Sequence, residues 1–189
     1  MAVQTSAPGP AVSRLAGPAL VGAAVALAVG VYGNVHDPTG EALFTLFFTA
    51  TLNMKAWLAT IVLLLAGFQL LSAARLYGKV HIPRQVPPWL GQAHRLSGTL
   101  AFLVSLPVAY HCLWSLGFES DPDQTRRFVH SIAGCFFYGA FASKVLVVRS
   151  RSLPGWALPA AGGALFTTVV VLWLSSALWF FDTVGFPEF

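Results

Sequence analysis

Apolar residues fall along this chain in five long runs, each parted from the next by a short polar stretch. The runs centre on ALVGAAVALAVGV, WLATIVLLLAGFQLL, LSGTLAFLVSLPVAYHCLW, IAGCFFYGAFASKVLVV and ALFTTVVVLWLSSALWFF. None alternates with a period of two, so half-buried strands do not fit. With their flanks each run reaches about 16–25 residues, enough to cross ~30 Å of hydrocarbon at ~1.5 Å per residue. The pattern predicts an all-α polytopic membrane bundle of five transmembrane helices, over about residues 16–31, 54–77, 92–116, 126–148 and 158–180. Residues 1–15 form a cytoplasmic tail, 16–183 the bundle and 184–189 an outer tail. Ala24-Val25-Ala26 has the form of a signal-peptidase site, but the apolar run continues past it, so retention and cleavage of the first helix both stay open. ALFTLFFTATL, residues 42–52, is too short to cross and reads as an interfacial segment leading into the second helix.

Composition agrees with that division. The chain is 56% apolar and 10% charged, where a soluble domain carries charge on about a quarter of its residues. A multi-pass protein of the cell membrane, with the lipid bilayer as its main partner, is the expectation. The net charge of +4 would suit nucleic acid, but the basic residues stand between apolar runs, where they set orientation instead. An inside N-terminus places eight basic residues on the cytoplasmic side: Arg14, Arg75, Lys79, Arg84, Arg95, Lys144, Arg149 and Arg151. All seven acids then lie outside with only Lys55, Arg126 and Arg127, which predicts N-in, C-out. No nucleophile–base set, phosphate loop or carboxylate pair occurs in the helices, so hydrolases and kinases are disfavoured. The two cysteines form no CxxC, which excludes c-type haem attachment, and their unequal depths predict free thiols.

Candidate chemistry rests on histidines inside apolar runs. The turn between the third and fourth helices centres near Ser120 and Asp121. His111 precedes that centre, and His130 follows it, by nine or ten residues. Antiparallel helices therefore carry the two at one depth. Two imidazoles so placed suit the axial positions of a b-type haem iron. A structural or proton-relay role and a non-haem metal are the competing readings. Gly134 and Gly139 would leave room for a porphyrin beside His130. Arg126 and Arg127 stand where propionates would emerge. Pro107 removes a backbone bond to Leu103 and can kink the third helix. His94, at the cytoplasmic end, has no histidine at its own depth. A second, inner haem there competes with a quinone or anion contact and with simple anchoring.

The stretches GQAHRLSG, SLPVAYHCLW, VHSIAGCFFYGAFASK and LWLSSALWFF resemble an actinobacterial family of integral membrane proteins without an assigned function, over about residues 52–183. More loosely, the layout is similar to cytochrome b561 and ferric-reductase-like transmembrane haem proteins. That resemblance implies a bis-histidine haem b protein, with His111 and His130 as ligands. Those haem families place two histidines 13 or 14 apart on each of two helices, whereas Lys144 stands fourteen residues beyond His130. The expected function is a membrane b-type cytochrome passing electrons between the quinone pool and an extracytoplasmic redox protein. A membrane anchor subunit with a structural haem, and a non-redox transporter or assembly protein, are the alternatives.

Overall fold

The computed structural model describes residues 10–82, 85–150 and 153–186, with side chains from residue 14 onward. Among these the chain is helical in five spans: α1 Pro10–Val35, α2 Thr51–Leu76, α3 Leu90–Leu116, α4 Thr125–Arg149 and α5 Ala157–Thr183. All five are long and apolar enough to cross a membrane. The predicted helices lie within these limits or within a few residues of them. The largest difference is at the start, where α1 begins at Pro10 and takes in residues 10–15 of the expected tail. Proline suits a helix's first turn because the N–H it lacks would have no partner there. Residues 1–9 of the expected tail, residues 187–189 of the outer tail, and Arg84 and Arg151 of the charge argument lie outside the described residues.

Two of the spans are not regular. α3 is α-helical to Tyr110 and π-helical over His111–Leu116. α5 is π-helical over Leu174–Leu178 between α-helical stretches. Pro107 accounts for the first change. It cannot donate to the Leu103 carbonyl, so the hydrogen-bond ladder is already broken one turn before His111. Gly117, at φ +82°, then turns the chain out of α3.

Close backbone approaches join α1 to α4, α4 to α5, α5 to α2 and α2 to α3. The tightest is built from small residues. A methyl group on Gly22 would lie 2.7 Å from the Gly139 carbonyl, and one on Gly139 would overlap the Gly22 carbonyl and crowd Ala26. Small residues let membrane helices approach where the hydrophobic effect gives no drive between them. Gly139 therefore serves the α1–α4 crossing, and the expectation that it clears space for a porphyrin is corrected. Val62, Ala66, Phe137, Leu165 and Val169 tie α2, α4 and α5 together. Leu20, Leu27, Leu64 and Leu71 are exposed, as side chains suited to a lipid surround.

α3 and α4, expected as antiparallel neighbours, meet through long side chains. Phe102 stacks on Phe141 at 4.1 Å, and the Tyr138 hydroxyl lies 3.1 Å from Ser105 Oγ. Space opens between these helices toward the end of the bundle that carries Asp37, Glu41, Glu119, Asp121, Asp123 and Asp182, called here the acidic end. Residues 36–50 fold over that end without forming a helix. Thr39 and Gly40 donate to the carbonyls of Trp114 and Ser115, each at 3.0 Å, and so satisfy the terminus of α3. Phe48 is buried against Met54 and Leu58. Residues 42–50 of that apolar stretch thus cap the bundle without forming a helix, and residues 51–52 begin α2.

Candidate functional site

A cavity of about 390 Å³ occupies the acidic half of the bundle between α3 and α4, closed by α2, α5 and Val29 of α1. Its walls are mainly apolar, among them Val62, Val108, Phe137, Val169 and Leu172. Both π-helical segments border it, through Cys112 and Leu116 on one side and Ser175 and Ser176 on the other. A π-turn adds a residue to the helical round and re-aims its side chains, which is why such turns gather at functional sites. Lys55, Arg126, Arg127 and Glu119 also line the cavity, three cations against one carboxylate.

His130 lines this cavity, and its tautomer follows from its bonds. Ser175 Oγ lies 2.7 Å from the Val171 carbonyl and 3.2 Å from the Leu172 carbonyl, to which its hydroxyl donates. The oxygen therefore accepts from His130 Nδ1–H at 3.0 Å. That leaves Nε2 unprotonated, and it accepts from the Cys112 thiol at 3.9 Å. The equal-depth expectation holds for α3 and α4, but the side chain that meets His130 is Cys112. Cys112 and Cys135 are free thiols, as expected.

His111 is placed differently. It has no exposed surface and is not among the residues lining the cavity. It precedes Cys112 at the start of the π-helical segment, so the two side chains leave α3 in different directions. Its ring stands edge-on to Phe44 at 4.6 Å and to Tyr110 at 5.2 Å. Nδ1–H donates to the Pro107 carbonyl at 2.9 Å, so Nε2 again carries the lone pair, and that buried atom has no partner. The expectation of two imidazoles facing each other across one space is thus not what the structure brings together. Both rings nonetheless have the arrangement of a metal-bound histidine, with Nδ1–H fixed by a protein oxygen and Nε2 unprotonated.

The remaining sequence candidates divide. Gly134 lines the cavity, and a methyl group there would touch nothing. Arg126 donates to the Ser175 carbonyl at 2.7 Å and lies 3.9 Å above the Trp179 ring, which holds its guanidinium at the mouth. Arg127 pairs with Glu119 at 3.1 Å. His94 is far from all this, at the opposite, basic end. Its Nδ1–H donates to Ser72 Oγ at 2.8 Å, because the Ser72 hydroxyl donates to the Phe68 carbonyl at 2.6 Å. Gln69 donates to the His94 carbonyl and to Ser97 Oγ, and no histidine bonds or stacks against His94 among the described residues. His36, just past the end of α1, is packed between Tyr32 and Trp114.

Sequence reasoning missed Cys112, Ser175 and Lys55. The sequence marks Cys112 only by its place next to His111. The serines at 175 and 176 interrupt an apolar run and were a usable signal.

Residues 15–188 match a family described as "Family of unknown function (DUF6529)". No curated protein and no solved structure matches the chain, so the likeness to cytochrome b561 and ferric reductases gains no support from these comparisons. With nearly its whole length matched, the chain belongs to DUF6529.

Proposed function

We propose that the protein is a membrane-embedded b-type cytochrome that carries single electrons at the acidic end of the bundle, with a haem held in the cavity on His130. The observation that carries this reading is one set of side chains. An imidazole with Nε2 unprotonated, met by the Cys112 thiol, lines an apolar cavity whose lining includes Lys55, Arg126 and Arg127. That combination suits a flat apolar cofactor bearing carboxylates. The fit is partial, because His111 does not face the cavity. A bis-histidine grip requires His111 to leave its seat beside Phe44.

A bound haem supplies one-electron chemistry. The chain's own residues do the rest. Ser175 fixes the His130 tautomer and ring orientation. Arg126, anchored by the Ser175 carbonyl and Trp179, has further N–H groups for an anionic ligand. Phe137, Val169 and Leu172 exclude water. In this reading a membrane quinol and an extracytoplasmic redox protein are the exchange partners. Glu119, Asp121 and Asp123 beside the mouth would favour a basic docking surface.

The test is spectroscopic. Protein purified in detergent should show a haem b signal in dithionite-reduced minus oxidised spectra, at one haem per chain. His130→Ala should lose it. A protein that stays colourless after reconstitution with haem sinks the reading.

A further inference from the structure

We infer that α3 offers Cys112, not His111, to the iron of a haem held by His130. This rests on the haem reading above, and three observations support it.

The first is separation. Cys112 Sγ and His130 Nε2 are 3.9 Å apart. Metal–sulfur bonds of about 2.3 Å and metal–imidazole bonds of about 2.0 Å place ligands on opposite sides of one metal ~4.3 Å apart. The pair needs to open by only a few tenths of an ångström. The second is access. Cys112 lines the cavity that His130 lines, while His111 has no exposed surface and packs against Phe44 and Tyr110. Bringing His111 round would displace Cys112 from the cavity and break the bond to the Pro107 carbonyl. The third is the donor set. Ser175 keeps the proton on His130 Nδ1, so the facing atoms are one imidazole lone pair and one thiol. Lys55 lies in the same lining, and its charge would offset that of a sulfur that binds iron as thiolate with its proton released to solvent.

Thiolate ligation pushes electron density onto iron and so favours its oxidised form. The experiment compares the full-length protein, purified and haem-loaded, with Cys112→Ala, Cys112→Ser, His111→Ala and His130→Ala. It reads electron paramagnetic resonance of the oxidised state, near-ultraviolet and visible absorption, haem stoichiometry and reduction potential. Size-exclusion profile and helical circular dichroism control for folding. The wild type should give a low-spin thiolate–imidazole signature. Both Cys112 variants should keep the fold yet lose that signature, with the redox equilibrium moved at least tenfold toward the reduced state. His111→Ala should keep it. If His111→Ala abolishes the low-spin signal and both Cys112 variants retain it, the inference is overturned while the haem reading stands. If no protein in the series takes up haem, both fall.

Discussion

The acidic and basic ends of this bundle carry the same local device and put it to different use. At each end an imidazole donates Nδ1–H to a serine hydroxyl on another helix, His130 to Ser175 and His94 to Ser72. Each serine hydroxyl donates in turn to a carbonyl one turn back. At the basic end the surrounding helices are regular, and Gln69 fills the space with bonds to the His94 carbonyl and Ser97. At the acidic end two helices change to π geometry, and a cavity takes the place of packing. The difference teaches that a serine-fixed histidine in a membrane helix can equally be a brace. What makes His130 a site candidate is the cavity that it lines.

The comparison breaks most completely where both ends share a scaffold. Gly139 meets Gly22 at the α1–α4 crossing, where no side chain fits. Gly139→Leu should destabilise the bundle by about 3 kcal/mol, the upper part of the range for overpacking. Unfolding in mixed detergent measures it, and haem retention should fall with the fold. A variant as stable as wild type would show that α1 packs elsewhere.

The next effect separates the ends. Ser175→Ala removes the acceptor that orients His130, and loss of such a partner typically weakens metal binding ~10–100-fold. Ser72→Ala should leave haem affinity unchanged and cost about 1 kcal/mol of stability, the usual net value of one buried hydrogen bond. Haem titrations and unfolding curves on the two variants give the contrast. Equal loss of haem in both would place a second cofactor at His94.

The helices were legible in the sequence and the cavity largely was not, for a physical reason. Five apolar runs specify five spans because hydrocarbon thickness sets their length. The common depth of His111 and His130 followed from counting residues to the turn. Which side chain on α3 faces α4 did not, since one residue is ~100° of helical rotation. Pro107 signalled a broken ladder, but not the π geometry that follows it. Ser175 and Ser176 lie in a run with no proline, so the second π segment had only two hydroxyls to announce it. Gly134 and Gly139 look alike in sequence, yet one borders the cavity and the other a helix crossing. That assignment depends on α1, whose small residues gave no sign of their partner.

The smallest effect lies at the cavity mouth, where the acidic end carries an ion pair. Arg127 and Glu119 are 3.1 Å apart, with side chains 57% and 21% exposed. Pairs this open contribute at most about 1 kcal/mol to stability, so Glu119→Gln should barely move the unfolding midpoint. Its charge matters more to what enters. With Glu119 neutral, Lys55, Arg126 and Arg127 face the cavity uncompensated. An anionic ligand should then bind up to about threefold more tightly at low salt. The gain should vanish near 1 M salt, where screening acts within ~3 Å. Haem affinity measured across a salt series checks this. A gain that persists at high salt would mean that Glu119 acts by closing the mouth through its bond to Arg127, and not through its field.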